Sequence, residues 1–151
     1  TLVPEDREML GLFVDDLPQR WAEVAACGMP DGLVHGDFHA PNVRVHGKAM
    51  TILDWADSGI GQPLLDLPAF LHRMDATDAS LARRHWIDAW QRAMPQADVE
   101  RAARLLAPVA TLRLTMLSQS FIDATEPSEH AYHRRGIGAW LRHTIELLHE
   151  A

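Results

Sequence analysis

The sequence predicts an α+β fold that is mainly helical, with one small β-hairpin set between helical segments. Three observations predict it. Apolar residues recur at helical spacing through most of the 151 residues. A short stretch from Leu33 to Asp54 breaks that rhythm and alternates apolar with polar side chains. Polar residues crowd immediately before and after the alternating part.

The first segment reads as helix. Pro4 suits a first helical position, and Glu5 and Asp6 suit the positive end of the helix dipole. Met9, Leu10, Phe13, Val14 and Leu17 form an apolar stripe, which Pro18 is expected to break or kink. Trp21, Val24 and Ala25 continue it to Gly28, where Gly28-Met29-Pro30-Asp31-Gly32 is turn chemistry. Leu33-Val34 reads as a very short strand. Val43 and Val45 alternate with Arg44 and His46 as a half-buried strand, Gly47-Lys48 makes a turn, and Met50 to Leu53 returns as its partner.

The remainder reads as helices. Leu67, Phe70, Leu71 and Met74 form one stripe, and Ala82, Trp86, Ala89, Trp90 and Ala93 another. Asp98 caps a third helix carrying Leu105, Val109, Leu112 and Met116, with Pro108 as a kink or restart. Ser128 caps a last helix whose stripe is Ile137, Trp140, Leu141, Thr144, Ile145 and Leu148. The tryptophans of these stripes are expected in the core.

The residues with chemical content are His35-Gly36-Asp37-Phe38-His39-Ala40-Pro41-Asn42, which match H-x-D-x-x-x-x-N. Phosphoryl transfer needs a carboxylate to orient the attacking hydroxyl and take its proton. It also needs hard oxygen ligands for the magnesium that bridges the phosphates. An Asp and an Asn five residues apart on a loop between strands can face one reaction centre. Asn42 is the only asparagine of the chain. Seventeen positions after Asp37, the apolar strand Thr51-Ile52-Leu53 ends in Asp54. The hairpin folds Asp54 back toward the loop, where it can hold magnesium.

HGDFHAPNV, then ILDW, then GQPLLDL together resemble the aminoglycoside phosphotransferase and choline kinase-like superfamily, specifically over Leu33 to Leu67. The resemblance implies the C-terminal lobe of a protein-kinase-like fold and transfer of phosphate from ATP, with Mg²⁺, to a hydroxyl of a small molecule. It implies Asp37 as catalytic base and Asn42 and Asp54 as magnesium ligands. Asp66, of the G-x-P-x-x-D-L run Gly61 to Leu67, and His35 then support the catalytic loop, and His39, Trp55 and Asp57 stand on the substrate side. Trp55-Ala56 replaces the Phe-Gly of the kinase D-F-G motif.

Kinase-like enzymes also need a lysine to hold the nucleotide phosphates, usually under a glycine loop. The single lysine, Lys48, falls in the hairpin turn. Gly59-Ile60-Gly61 and Gly136-Ile137-Gly138 lack the third glycine of a phosphate loop and read as turn or packing glycines. The expected organisation is therefore one catalytic lobe over 1–151, with a catalytic and metal-binding core at 33–67 and a helical substrate-side part at 68–151. The N-terminal nucleotide-binding lobe is expected to be missing. The start at Thr1 agrees with a piece of a longer or split kinase, inactive by itself.

Two readings from other classes compete. His35, Asp37 and His39 alternate, so a continuous strand would align them as zinc ligands of a metal-dependent hydrolase; Gly36 and Pro41 oppose such a strand. A non-catalytic kinase-like binding module is the other. Composition narrows the partners. The net charge is −7 and the pairs Arg83-Arg84 and Arg134-Arg135 make no strong basic patch, so no nucleic-acid partner is expected. Uninterrupted apolar runs are too short for a bilayer, so no membrane partner is expected either. The lone Cys27 allows no intrachain disulfide, in keeping with a cytoplasmic protein. His46, His72 and His85 show no pattern.

Overall fold

The computed structural model describes residues 2–128 and 130–150, with side chains described for all of these except residues 131–135. Arg134-Arg135 therefore lies outside the described side chains. The element order is α1 (Pro4–Asp15), α2 (Leu17–Ala26), β1 (Gly32–Val34), a 3₁₀ turn at Ala40–Asn42, β2 (Val43–His46), β3 (Ala49–Ile52) and β4 (Gly59–Gly61). A second 3₁₀ turn at Pro63–Asp66 leads into α3 (Leu67–Leu71), α4 (Ala76–Ala93), α5 (Val99–Ala124) and α6 (His130–His149). The mainly helical α+β reading holds.

The chain breaks between α1 and α2 at Asp16, with Pro18 in the first turn of α2, where its missing N–H costs no intrahelical bond. Asp75 caps α4 by accepting from the amides of Thr77 and Asp78, and Asp98 caps α5 by accepting from Arg101. α5 passes through Pro108 as one 26-residue helix rather than restarting there. Arg20 of α2 donates to the Leu105 carbonyl in the turn before that proline, 3.3 Å away.

The core gathers on the first half of α5. Val99, Ala102 and Leu106 have no exposed surface and pack with Val24, Cys27, Met29, Leu64, Leu67 and Ile87. Burial pushes the Cys27 thiol up from its ordinary pKa, foremost among the influences on it. α6 lies along α5, joined by a buried hydroxyl pair in which Thr144 donates to Thr111 at 2.9 Å. By length and composition α5 could cross a membrane, which uninterrupted apolar runs did not reveal. Here it is the central helix, packed by α2, α3, α4 and α6.

The expected hairpin forms, its return strand one residue earlier than expected at Ala49–Ile52, with Val43 opposite Ile52 and His46 opposite Ala49, and Gly47 takes φ +59° at its turn. It is not half-buried: Val45 is 70% and Met50 66% exposed. Gly59–Gly61 is not a turn. It is β4, antiparallel to β1 with Leu33 opposite Ile60. Gly136-Ile137-Gly138 is likewise not a turn but part of α6. Trp86 and Trp90 pack against the core, whereas Trp21 is 40% exposed, and Ala89 and Ala93 of the expected α4 stripe are exposed around a buried Ile87. α6 begins at His130, two residues after Ser128.

Candidate active site

The 35–42 loop leaves β1 at Val34 and is gripped through its backbone. Asp66, buried at the end of the second 3₁₀ turn, accepts from the His35 amide at 2.6 Å and from the Gly36 amide at 2.9 Å. One carboxylate thus satisfies two successive buried N–H groups with charge-assisted bonds. Gly36 sits at φ +90°, and a Cβ there would lie 2.2 Å from the Asp57 carbonyl oxygen. Only glycine fits. Arg113 of α5 reaches across from the other side and donates to the Gly36 carbonyl at 3.1 Å.

His35 is 3% exposed. Its Nε2 bonds the Leu53 carbonyl at 2.8 Å and its Nδ1 accepts from the Asp37 amide at 3.3 Å. A carbonyl can only accept, so Nε2 carries the hydrogen. The ring thereby ties the loop to the end of β3. Trp55 packs against it, 4.6 Å between centroids, and donates from Nε1 to the Ile52 carbonyl. Beneath the loop, Phe38 stacks on Phe70 at 5.1 Å and tilts against Trp86 at 5.6 Å.

With the backbone held, the side chains that could do chemistry are left lightly engaged. Asn42 donates from Nδ2 to the Asp37 carbonyl at 3.0 Å and toward Asp37 Oδ2 at 3.5 Å. Its Oδ1 has no donor among the described residues. Asp37 Oδ2 also lies 3.2 Å from His39 Nε2. Leu53 donates its amide to the Asn42 carbonyl at 2.8 Å, so Asp54 follows directly on the residue paired with Asn42. Asp54 has φ +61°, the only non-glycine residue with positive φ among the described residues. Such strain costs roughly 1–2 kcal/mol and gathers at functional sites. Its carboxylate has no hydrogen bond or ion pair among the described residues. Asp37 and Asn42 therefore touch; Asp54 is adjacent through the backbone pairing and makes no side-chain contact with either.

The donors present suit magnesium. Asn42 Oδ1 and the Asp54 carboxylate are hard oxygens without competing partners among the described residues, and Mg²⁺ takes one or two protein oxygens, completing its shell with water and phosphate. They do not suit zinc. Both His35 nitrogens are engaged by backbone, and no group of three His, Cys, Asp or Glu residues gathers for a metal among the described residues.

A cavity of about 330 Å³ opens beside Asp37. Asp37, His39 and Asp57 line it together with Leu114 and Leu117 of α5 and Trp140 of α6. Trp55 does not line it. Sequence patterns missed Arg113, which belongs to no local motif, and His72, whose ring lies 4.1 Å from Trp140. Desolvation of that ring, then His143 and Arg73, hold its pKa below the ordinary imidazole value.

An H-x-D-x-x-x-x-N loop braced by a buried Asp, with an Asp unpaired among the described residues beside its Asn, is in keeping with a phosphotransferase-type chain. The family model described as the phosphotransferase enzyme family matches residues 3–106. The chain belongs to that family, in keeping with its likeness to aminoglycoside phosphotransferases and choline kinases. No curated protein and no solved structure matches it significantly.

Proposed function

We propose that the chain is the catalytic lobe of a kinase-like phosphotransferase that moves the γ-phosphate of ATP to a hydroxyl of a small molecule. The observation that carries this reading is the contact of Asn42 with Asp37, on a loop whose backbone is fixed, beside an Asp54 without a partner among the described residues. Asp37 orients the acceptor hydroxyl and takes its proton as the oxygen attacks the γ-phosphorus and the bond to ADP breaks. Asn42 Oδ1 and the Asp54 carboxylate would hold Mg²⁺, which supplies charge neutralisation on the phosphates. The cavity of about 330 Å³ receives the acceptor. Its volume is at the low end for small-molecule sites and favours a compact acceptor.

Core residues 33–67 then carry the chemistry and 68–151 the acceptor side. A separate segment or chain supplies the lysine for the nucleotide phosphates, since Lys48 stands in the exposed hairpin turn. Leu33 and Ile60, 59% and 82% exposed, offer that lobe an apolar surface.

The test is phosphate transfer from ATP to a panel of hydroxyl compounds. The chain is assayed alone and with any sequence that precedes Thr1 in its reading frame. Asp37→Asn should lower kcat roughly 10²–10⁴-fold, the range for loss of a general base, with ATP affinity nearly unchanged. Turnover untouched by that change refutes the assignment.

A further inference from the structure

A second cavity, of about 640 Å³, shares His72 on its lining with the cavity beside Asp37. Its apolar lining includes Leu64, Leu67 and Leu71, Ala107 of α5 and Leu147 of α6. Three guanidinium groups also line it: Arg20, Arg83 and Arg104. Arg83 and Arg104 share a single carboxylate, Glu100, at 2.7 and 3.5 Å. Arg20 has no carboxylate partner among the described residues. It rests 5.0 Å from the Phe13 ring centroid and gives one N–H to the Leu105 carbonyl. The acidic side chain on the lining is Glu150. Positive charge thus exceeds negative around this cavity, in a chain whose net charge is −7.

An apolar chamber with a few fixed polar groups is the form of a small-molecule site, and this volume falls within the usual span of roughly 300–1,000 Å³. A guanidinium without a carboxylate matches a ligand carboxylate in shape and charge. We propose that this cavity binds a medium-chain fatty carboxylate, its head group on Arg20 and its chain against the leucines of α3 and α6. His72 lines both cavities, so this site adjoins the acceptor site without sharing Asp37.

The proposal does not depend on phosphate transfer, and its test uses neither nucleotide nor acceptor. Dodecanoate is titrated into the chain by calorimetry below its micelle concentration, beside neutral dodecyl maltoside and cationic dodecyltrimethylammonium. One dodecanoate per chain is expected, with both comparison chains at least tenfold weaker. Decanoate should bind roughly fifteenfold more weakly than dodecanoate, at about fourfold per buried methylene. Arg20→Met should weaken dodecanoate by about tenfold or more, as loss of a charged hydrogen bond does, and Ala107→Phe should block it by filling the chamber. If Arg20→Met does not fold by circular dichroism, Arg104→Met on the more exposed rim takes its place, with a smaller loss expected. Equal binding of all three head groups, several ligands per chain, no heat from dodecanoate, or arginine variants that bind unchanged would overturn the assignment.

Discussion

Replacing Asp66 by Ala removes the acceptor for two buried amides at once. The bonds are 2.6 and 2.9 Å long and Asp66 is 7% exposed, so water cannot readily take over. A hydrogen bond to a charged group contributes about 1.5–3 kcal/mol, and a buried donor left unpaired costs about 1–3 kcal/mol. Two such bonds, with partial relaxation of the loop, give a loss of about 3–5 kcal/mol. For a domain of this size that lowers the melting temperature by roughly 10–15 °C. Asp66 makes no capping bond to α3, so the loss is not confounded by fraying of that helix. Asp66→Asn keeps one carbonyl oxygen and should lose about half as much. Urea denaturation followed by far-UV circular dichroism gives the free energies, and the amide resonances of His35 and Gly36 report the site. An Asp66→Ala variant within about 0.5 kcal/mol of the parent, with those two resonances unmoved, would refute the reasoning, because such a surface-like value means the bonds are not made.

Three other perturbations separate strain, sterics and charge. Asp54→Gly should leave stability unchanged or raise it by up to about 1 kcal/mol, since glycine accepts a positive φ without cost. The same change should abolish Mn²⁺ binding followed by paramagnetic relaxation of water. Gly36→Ala should destabilise by more than about 3 kcal/mol in the same urea assay, because its Cβ would overlap the Asp57 backbone at φ +90°. Glu100 titrates below the ordinary carboxylate range, held down first by its hydrogen bond from Arg83. The stability it contributes is present above the unfolded value and lost as pH falls through the depressed one. In Arg83→Met the folded value should rise toward the unfolded one, so that loss becomes smaller and is complete at a higher pH, and an NMR titration of the Glu100 carboxyl carbon checks the shift.

The helices, the hairpin and the loop that carries Asp37 and Asn42 were legible because each is local. Helical period, alternation and a fixed spacing all act within a few residues. Burial of the hairpin was not legible, because alternation says which residues share a face and not whether anything covers it. Gly59–Gly61 shows the same limit. Two glycines around one isoleucine carry turn chemistry locally, and only pairing with Leu33, 27 positions upstream, makes them a strand. Arg113 lies 77 residues from the carbonyl it bonds. No pattern along the chain marks such a residue until α5 has been laid across the loop.

The bonds that fix this site are directed at backbone. Asp66 takes two amides, Arg113 one carbonyl, His35 the Leu53 carbonyl and Trp55 the Ile52 carbonyl. A loop held this way is preorganised while Asp54, and the Oδ1 of Asn42, remain without partners among the described residues, which is the condition for them to meet a cation without first breaking other bonds. The helix that supplies Arg113 also supplies Leu114 and Leu117 to the cavity beside Asp37, and these lie beyond the segment 3–106 that carries the family match. On the proposed function, chemistry and acceptor choice therefore occupy different parts of the chain. Substitutions on that face of α5 and at Trp140 should change which hydroxyl compound is accepted while leaving Mn²⁺ binding intact. A Leu117→Ala variant whose acceptor preference is unchanged, but whose metal binding is lost, would contradict that separation.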